Sequence, residues 1–309
     1  MINSWKNKNL NNLQNKTIVI TGTTSGLGFE ALKHLVSMGA NIIVGVRNTQ
    51  KAENQAKEIQ QLNPASKITI LKLDLSDLGS IYEFAENVKS LYTEGVFALI
   101  NNAGIFAQPK SVLNYGYEKH FFTNTLAPII LSKKLLPVLE KQQNSKIVFV
   151  SSISFNKVKI NFDDIDLKND TKNINTYANT KRWLTFYALE LAKVLKAKNS
   201  NVSVAICHPG ITGTALMNPK NGTFSKITYR FCDIGQKILF PSPKKASLTE
   251  LASINAKTND FEWISPSIFN IWGYPKKTKL KIRHFNPNEI TDCYNKIEEI
   301  LSKITNVKN

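Results

Sequence analysis

Short β-branched runs alternate with longer amphipathic stretches along most of the chain, and this alternation limits the folds open to it. The predicted strands cover 17–21, 41–46, 67–75, 96–101, 146–152 and 201–207. The predicted helices cover 29–38, 50–62, 80–92, 115–142 and 177–198. Strands that alternate with helices are typical of βαβ units, whose strands pair in parallel. The sequence therefore predicts an α/β fold, a single doubly wound domain in which helices flank a parallel sheet.

No stretch rich in Gly, Ser or Pro divides the chain, so we expect one domain over 1–309, with a polar N-terminal extension at 1–14. Residues 211–245 are apolar and aromatic without a regular period. Long insertions of this kind often form lids or binding loops, so we predict a substrate lid here. A pair of accessory helices closing one edge of the core is the alternative. The tail, 287–304, is an amphipathic helix that we expect on the edge of the sheet.

The charge of the chain is strongly positive, with 40 Lys and Arg against 23 Asp and Glu, a formal net charge of +17. Only four of the basic residues are arginines: Arg47, Arg182, Arg230 and Arg283. Nucleic-acid-binding proteins rely on the planar arginine fork, so we expect no nucleic-acid partner. Scattered lysines beside 34 asparagines indicate a composition bias and a solvated surface. An anionic partner, and weak association with a membrane surface in particular, stays open.

Neither an export signal nor a membrane span is expected from the sequence. Residues 1–15 are polar, and no segment approaches the roughly 18 consecutive apolar residues of a spanning helix. Three cysteines far apart in sequence argue against a disulfide scaffold and a paired-cysteine metal site. We therefore expect a soluble, cytoplasmic protein without a metal.

A glycine-rich turn, Thr21-Gly-Thr-Thr-Ser-Gly-Leu-Gly28, follows the first predicted strand. Glycines at this point allow a tight turn and let a ligand approach the backbone, while the following helix presents its positive end to an anion. The turn predicts a dinucleotide site, and a glycine turn without a ligand is the alternative. The candidate cofactor ligands here are Gly22, Thr24, Ser25, Gly26, Leu27 and Gly28.

Four further motifs follow in order at the ends of predicted strands or on the long helix: Asn101-Asn102-Ala103-Gly104, Ser151-Ser152, Tyr177-Ala-Asn-Thr-Lys181 and His208-Pro209-Gly210. Together with the glycine turn, they make the chain similar to the short-chain dehydrogenase/reductase family over about 14–300. The interval of 25 residues between Ser152 and Tyr177 resembles the retinol-dehydrogenase-like branch of that family. The resemblance implies a Rossmann-type fold and an oxidoreductase.

The same resemblance implies catalytic roles for Asn124, Ser152, Tyr177 and Lys181. Tyr177 and Lys181 are four residues apart on a predicted helix, hence neighbours on one face. A lysine ammonium near a phenol favours the phenolate, so Tyr177 can act as the acid or base. Ser152 is expected to hold the substrate oxygen, and Asn124 to support a water-linked proton path to Lys181. A helix-face asparagine without a role is the alternative for Asn124.

The cofactor is predicted from the end of the second strand, where Arg47 stands and no acidic residue follows. A basic side chain there suits the 2′-phosphate of NADP(H), so NADP(H) is favoured over NAD(H). An ordinary surface arginine is the alternative. The resemblance places Asp74 and Leu75 around the adenine. It also assigns to the cofactor site Asn102, Ala103, Gly104, Tyr177, Lys181, Pro209 and Gly210.

These patterns lead to one functional hypothesis, an NADP(H)-dependent oxidoreductase that interconverts a carbonyl and an alcohol. Its substrate is expected to be an apolar to moderately polar small molecule, bound beneath 211–245 and beside Phe106, Phe155 and Tyr177. A non-catalytic sensor or regulatory protein that binds a dinucleotide is the alternative. The sequence leaves the oligomeric state open, a homodimer included.

Overall fold

A single eight-stranded sheet forms the centre of the computed structural model, which describes residues 2–168, 170, 172–210, 241–257, 261–283 and 286–306. The strands are β1 Thr17–Thr21, β2 Asn41–Val46, β3 Ile68–Lys72, β4 Ala98–Asn101, β5 Ser145–Val150, β6 Val202–Cys207, β7 Glu262–Ile268 and β8 Trp272–Lys279. Their order is β3-β2-β1-β4-β5-β6-β7-β8. All neighbours pair in parallel except β7 and β8. The predicted α/β fold with a parallel sheet is confirmed.

The helices are α1 Ile2–Asn9, α2 Gly26–Ser37, α3 Thr49–Gln60, α4 Leu78–Leu91, α5 Lys119–Phe121, α6 Ala127–Leu139, α7 Asn173–Ala197, α8 Pro243–Ala246, α9 Leu248–Asn255 and α10 Pro287–Asn306. A π-helical turn, Phe122–Leu126, joins α5 to α6, and a 3₁₀ turn, Ile153–Lys157, follows β5. None of the described helices has the length and apolar content needed to cross a bilayer.

Two apolar layers bury the two faces of the sheet. Successive strand residues point to opposite faces, so Val19 belongs to one buried cluster while Ile18 and Ile20 belong to the other. The chain order reverses between β1 and β4, which lie side by side although β2 and β3 come between them in sequence. This reversal leaves a crevice at the carboxyl ends of the strands, where open α/β sheets bind their ligands.

The tail helix α10 packs on α7 rather than on an edge of the sheet, so the expected edge position is wrong. Tyr294 stacks on Tyr187 with ring centroids 4.9 Å apart, and Arg182 pairs with Glu289 at 3.3 Å. The amphipathic pattern predicts a buried face for this helix without indicating which element it covers. The exposed edge strand next to β7 is β8.

Four elements outside the predicted lid were not predicted: α1, α9, β7 and β8. The strands contain prolines, Pro266 and Pro275, and β8 is rich in lysine, so neither reads as a β-branched run. Within the predicted polar extension, the ring of Trp5 in α1 stacks on Tyr274 of β8. The predicted lid falls largely outside the described residues, since 211–240 are not among them; its last residues, 243–245, belong to α8.

Candidate active site

The glycine turn between β1 and α2 is shaped by close packing and by backbone conformation. Gly22 and Gly26 have φ values of +73° and +62°, which favour glycine. A Cβ on Gly28 would come closer than 3.0 Å to both Asn102 Nδ2 and Gly22 O. Asn102 Nδ2 donates to Thr21 O at 2.7 Å and to Gly22 O at 3.1 Å. The asparagine after β4 therefore clamps the turn in place.

The first turn of α2 is suited to bind an anion. Ser25 stands at the N-cap in an extended conformation, and its side chain makes no capping hydrogen bond within the described part of the chain. The first N–H groups of the helix thus remain available, and the helix dipole adds positive potential. Together with the glycines, they give a backbone cradle that fits a pyrophosphate, as a dinucleotide requires.

A pocket of about 600 Å³ runs from this turn along the carboxyl edge of the sheet. All the predicted catalytic and cofactor residues except Asn124 line it: Gly22, Thr24, Ser25, Gly26, Leu27, Gly28, Arg47, Asp74, Leu75, Asn102, Ala103, Gly104, Ser152, Tyr177, Lys181, Pro209 and Gly210. One continuous pocket therefore brings together residues that lie up to 188 positions apart in sequence, from Gly22 to Gly210.

At the far end of β2, Arg47 is exposed and carries no ion pair with any described residue. Its neighbour Asn48 is the N-cap of α3 and accepts a hydrogen bond from Lys51 N at 2.9 Å. The carboxylate of Asp74 lines the same pocket, but its Oδ1 accepts from Ser76 N and Ser76 Oγ at 2.9 and 2.7 Å. The Arg47 guanidinium is therefore available to an anionic ligand.

The two serines after β5 point in different directions. Ser151 Oγ lies 2.6 Å from Thr185 Oγ1 of α7 and is buried. Ser152 caps the 3₁₀ turn, where its Oγ accepts from Ser154 N at 3.2 Å and from Ser154 Oγ at 3.0 Å. Its hydroxyl also forms a hydrogen bond with Tyr177 that lowers the pKa of the phenol. Ser152 is thus the serine that faces the tyrosine, and its catalytic role stays a prediction.

Tyr177 lies on α7 at the wall of the pocket, and Phe106 meets its ring edge to face at 5.1 Å. Burial raises the pKa of Tyr177 to about 12, and the hydrogen bond from Ser152 opposes that shift only in part. A phenol in this setting keeps its proton at neutral pH.

Lys181 follows one helical turn later and is buried. Its Nζ donates to Val150 O at 2.8 Å and lies 5.7 Å from the centroid of the Tyr177 ring. Burial lowers the pKa of Lys181 to about 8, and the neighbouring Cys207 opposes the shift. The side chain is therefore positively charged at neutral pH and loses its charge above about pH 8.

Asn124 does not line the pocket but holds one of its walls. It lies in the π-helical turn, where Ala127 N reaches back to Phe122 O. Its Nδ2 donates to Ile105 O at 2.9 Å and its Oδ1 accepts from Ile105 N at 2.8 Å. This two-point contact fixes the loop after β4, and a Cβ on Gly104 would lie 3.1 Å from Asn124 Oδ1 and 3.9 Å from Lys181 Nζ. The water-linked path to Lys181 stays a prediction.

A family model described as short chain dehydrogenase matches residues 16–223, which include the glycine turn, Ser152, Tyr177 and Lys181. The chain belongs to the short chain dehydrogenase family. This membership implies a nicotinamide dinucleotide as cofactor. The retinol-dehydrogenase-like branch predicted from the motif spacing is confirmed by the relatives described next.

The human relatives retinol dehydrogenase 12 and polyprenol dehydrogenase are 33% and 29% identical to the chain over 205 and 203 residues. These matches cover 66% and 64% of this chain. The chain spans 64% and 61% of those relatives, less than two thirds of their length. Human retinol dehydrogenase 13 is 31% identical over 79% of this chain and 76% of its own length. A solved structure of an uncharacterised protein from Mycobacterium paratuberculosis has a TM-score of 0.74 at 26% identity, covering 95% and 96% of the two chains.

One residue expected at the substrate site of this short chain dehydrogenase lies elsewhere. Phe155 is fully buried in the apolar core, where its ring meets Trp263 edge to face at 5.9 Å. The 3₁₀ turn after Ser152 rotates this side chain inward, away from the pocket. Phe106, by contrast, lies beside Tyr177 as predicted.

Sequence reasoning missed several pocket residues. Ile153, Lys157 and Ile174 line the pocket, and so does Thr123, whose buried hydroxyl has no hydrogen-bond partner within the described part of the chain. Thr123 immediately precedes Asn124, so its position next to a motif residue was the available signal. Ile153 and Ile174 carry no such signal, because an isolated apolar residue in a loop or a first helical turn reads equally well as core.

Proposed function

We propose that this chain is an NADP(H)-dependent oxidoreductase that interconverts a carbonyl and an alcohol on an apolar to moderately polar small molecule. The observation that carries the proposal is the meeting of Ser152, Tyr177 and Lys181 at one pocket that continues to the glycine turn. The serine hydroxyl can donate a hydrogen bond to the substrate oxygen, and the phenol can give it a proton. The ammonium group adds a positive charge beside them.

When bound, the nicotinamide supplies or accepts the hydride. The side chains of this chain handle the proton. In the reduction direction, Ser152 Oγ donates a hydrogen bond to the substrate carbonyl oxygen, and Tyr177 gives its proton to the same oxygen. The Lys181 ammonium then stabilises the phenolate left on Tyr177. In the oxidation direction, Tyr177 takes the hydroxyl proton back.

NADP(H) is proposed rather than NAD(H) because of Arg47. Its exposed guanidinium stands at the end of β2 on the pocket wall, where it can meet a 2′-phosphate with two parallel hydrogen bonds. The carboxylate of Asp74 does not compete for it, since that carboxylate is bound to Ser76. Asp74 and Leu75 are proposed to border the adenine.

The proposed substrate is apolar because the wall beside Tyr177 is apolar. Ile105, Phe106, Ile153 and Ile174 line the pocket together with the catalytic side chains. Two of the relatives are named for retinol and polyprenol, which are apolar alcohols. For this chain, an apolar aldehyde or ketone and its alcohol are the proposed pair, and a cytoplasmic location is proposed with them.

The test is oxidation of NADPH, followed by absorbance, with a panel of apolar aldehydes and ketones. Tyr177→Phe should lower kcat/KM at least a hundredfold, because the substrate oxygen loses its proton donor. Tyr92→Phe is the matched control, since its hydroxyl bonds Thr69 outside the pocket, and it should retain activity. Tight NADPH binding by the wild type without turnover of any carbonyl would instead favour the sensor. Equal activity of Tyr177→Phe and wild type would refute the proposed acid–base role.

A further inference from the structure

The turn between β7 and β8 carries three exposed apolar side chains. Ile268, Phe269 and Trp272 are 51%, 83% and 39% exposed. Single exposed apolar residues are common on protein surfaces, but three within five positions form a local patch. We call these three residues the tip cluster.

The turn places Phe269 in a backbone conformation that a phenylalanine rarely adopts. Ile271 N donates to Ile268 O at 3.0 Å, and the two central residues, Phe269 and Asn270, have φ values of +51° and +57°. Two central residues with positive φ are the pattern of a type I′ turn, which prefers Asn and Gly. A bulky phenylalanine there is strained, and its exposed ring gains little from packing. A strained and exposed aromatic residue indicates a role outside folding.

Positive charge follows the tip cluster along the second strand of the hairpin and beyond it. The segment 263–288 contains no Asp or Glu and five basic residues: Lys276, Lys277, Lys279, Lys281 and Arg283. Lys277 pairs with Glu262 at 3.4 Å. Lys276 and Lys279 are exposed and form no ion pair with the described residues. The second half of the edge strand β8 is therefore cationic.

Two further elements extend this cationic surface. The ring of Trp5 in α1 stacks on Tyr274 with centroids 5.6 Å apart, and Lys245 Nζ of α8 lies 4.7 Å from the centroid of the same tyrosine. Burial and, after it, the charge of Lys244 lower the pKa of Lys6, so the two ammonium groups are close in space. Neither α1 nor α8 contains an acidic residue.

The tip cluster lies next to the pocket. Strand β7 runs parallel to β6, so its end and the turn after it lie at the carboxyl edge of the sheet, where the pocket also lies. A Cβ on Gly210, a pocket residue, would be 2.7 Å from Ile271 O of the turn. The turn therefore packs directly against the pocket wall.

From these observations we propose that the β7–β8 hairpin docks on an anionic lipid membrane. The tip cluster enters the boundary between headgroups and acyl chains, and Lys276 and Lys279 contact the anionic headgroups. Lipid is favoured over nucleic acid because an exposed Phe and Ile at the point of contact gain from an apolar phase, which a phosphate backbone does not offer.

The test is co-flotation of the full chain with vesicles of phosphatidylcholine alone or mixed with phosphatidylserine; it requires no turnover and is independent of the proposed reaction. The wild type should bind the vesicles that contain phosphatidylserine, and this binding should weaken as the salt concentration rises. Phe269→Asn should bind about tenfold more weakly, since a ring is withdrawn from the lipid. Asparagine accepts a positive φ, so this variant should unfold at no lower temperature than the wild type. The double variant Lys276→Gln, Lys279→Gln should bind anionic vesicles about fivefold more weakly for each lysine replaced, and its binding to phosphatidylcholine vesicles should not change.

Leu62→Ser is the matched control, because Leu62 is 52% exposed, like Ile268, but lies between α3 and β3. It should bind as the wild type does. Failure of the wild type to bind phosphatidylserine vesicles, wild-type affinity of Phe269→Asn, or an equal loss in Leu62→Ser would each overturn the proposal. So would retention on DNA that depends on Lys276 and Lys279 but not on Phe269, which would assign the surface to nucleic acid.

Discussion

Replacing Gly28 by alanine tests whether close packing shapes the cofactor turn. Gly28 is not among the glycines with positive φ, so alanine can adopt its backbone conformation. The added Cβ would nevertheless come within 3.0 Å of Gly22 O and Asn102 Nδ2. Gly22 O is a backbone atom, and the Asn102 amide is held by hydrogen bonds to Thr21 O and Gly22 O. Neither neighbour can retreat without loosening the turn.

The free energy of this change can be assembled from its parts. Overpacking at a well-filled site costs about 1–3 kcal/mol. Weakening two neutral hydrogen bonds of Asn102 adds about 1–2 kcal/mol. The better helix propensity of alanine offsets up to about 1 kcal/mol of this destabilisation, because Gly28 lies in the first turn of α2. We expect Gly28→Ala to lower the free energy of unfolding by about 2–3 kcal/mol.

Urea denaturation measures this loss, and NADPH fluorescence titration measures its effect on the site. The Kd for NADPH should rise at least tenfold in Gly28→Ala, because the backbone cradle moves. Gly116→Ala is the control: Gly116 has φ +82° and no atom within 4 Å of its Cβ position. The free energy of unfolding of Gly116→Ala should fall by about 1–2 kcal/mol because of backbone strain alone, and its Kd for NADPH should equal that of the wild type. An unchanged Kd in Gly28→Ala, or an equal rise in Gly116→Ala, would refute the reasoning.

Two further predictions concern single ionisable groups. Arg47→Asp should lower the ratio of kcat/KM with NADPH to kcat/KM with NADH by roughly 100-fold, because a bidentate charged contact is lost. Arg283→Asp is the control and should keep the wild-type ratio. An unchanged ratio in Arg47→Asp would show that Arg47 does not contact the 2′-phosphate. Burial raises the pKa of Glu250 to about 8, so the folded chain keeps a proton that the unfolded chain releases above its ordinary pKa of 4.5. The free energy of unfolding should therefore fall as pH rises from 4.5 to 8. The urea midpoint of Glu250→Gln should equal that of the wild type near pH 4.5 and exceed it at pH 8. The same pH dependence in both proteins would contradict the role given to Glu250.

The sequence predicts those parts of the fold that depend on short-range chemistry. Strands such as β1 and β2 are β-branched runs buried on both faces, and both were predicted at their observed bounds. The start of α2 was predicted three residues late, at 29 instead of 26, because the first turn contains two glycines, which have low helix propensity. The glycine turn is visible in the sequence because its backbone requires positive φ at Gly22 and Gly26, although the packing of Asn102 against it is not.

Features that depend on distant partners were not predictable in this way. Strand β8 is recognisable only through its pairing with β7, since its own residues alternate little and include Pro275 and three lysines. The position of α10 depends on a stack between Tyr294 and Tyr187 and an ion pair of Arg182, which no local pattern indicates. The inward turn of Phe155 likewise depends on Trp263, more than 100 residues later.

The electrostatics of the Tyr177–Lys181 pair bear on the direction of the proposed reaction. Burial raises the pKa of Tyr177 to about 12, so the phenol is protonated at pH 7. A protonated phenol is the form that reduction of a carbonyl needs, whereas oxidation of an alcohol needs the phenolate. Lys181 can favour the phenolate only while it is charged, and burial lowers its pKa to about 8. The pair as folded therefore holds the proton that reduction of a carbonyl consumes, whereas oxidation of an alcohol near neutral pH first requires Tyr177 to lose it.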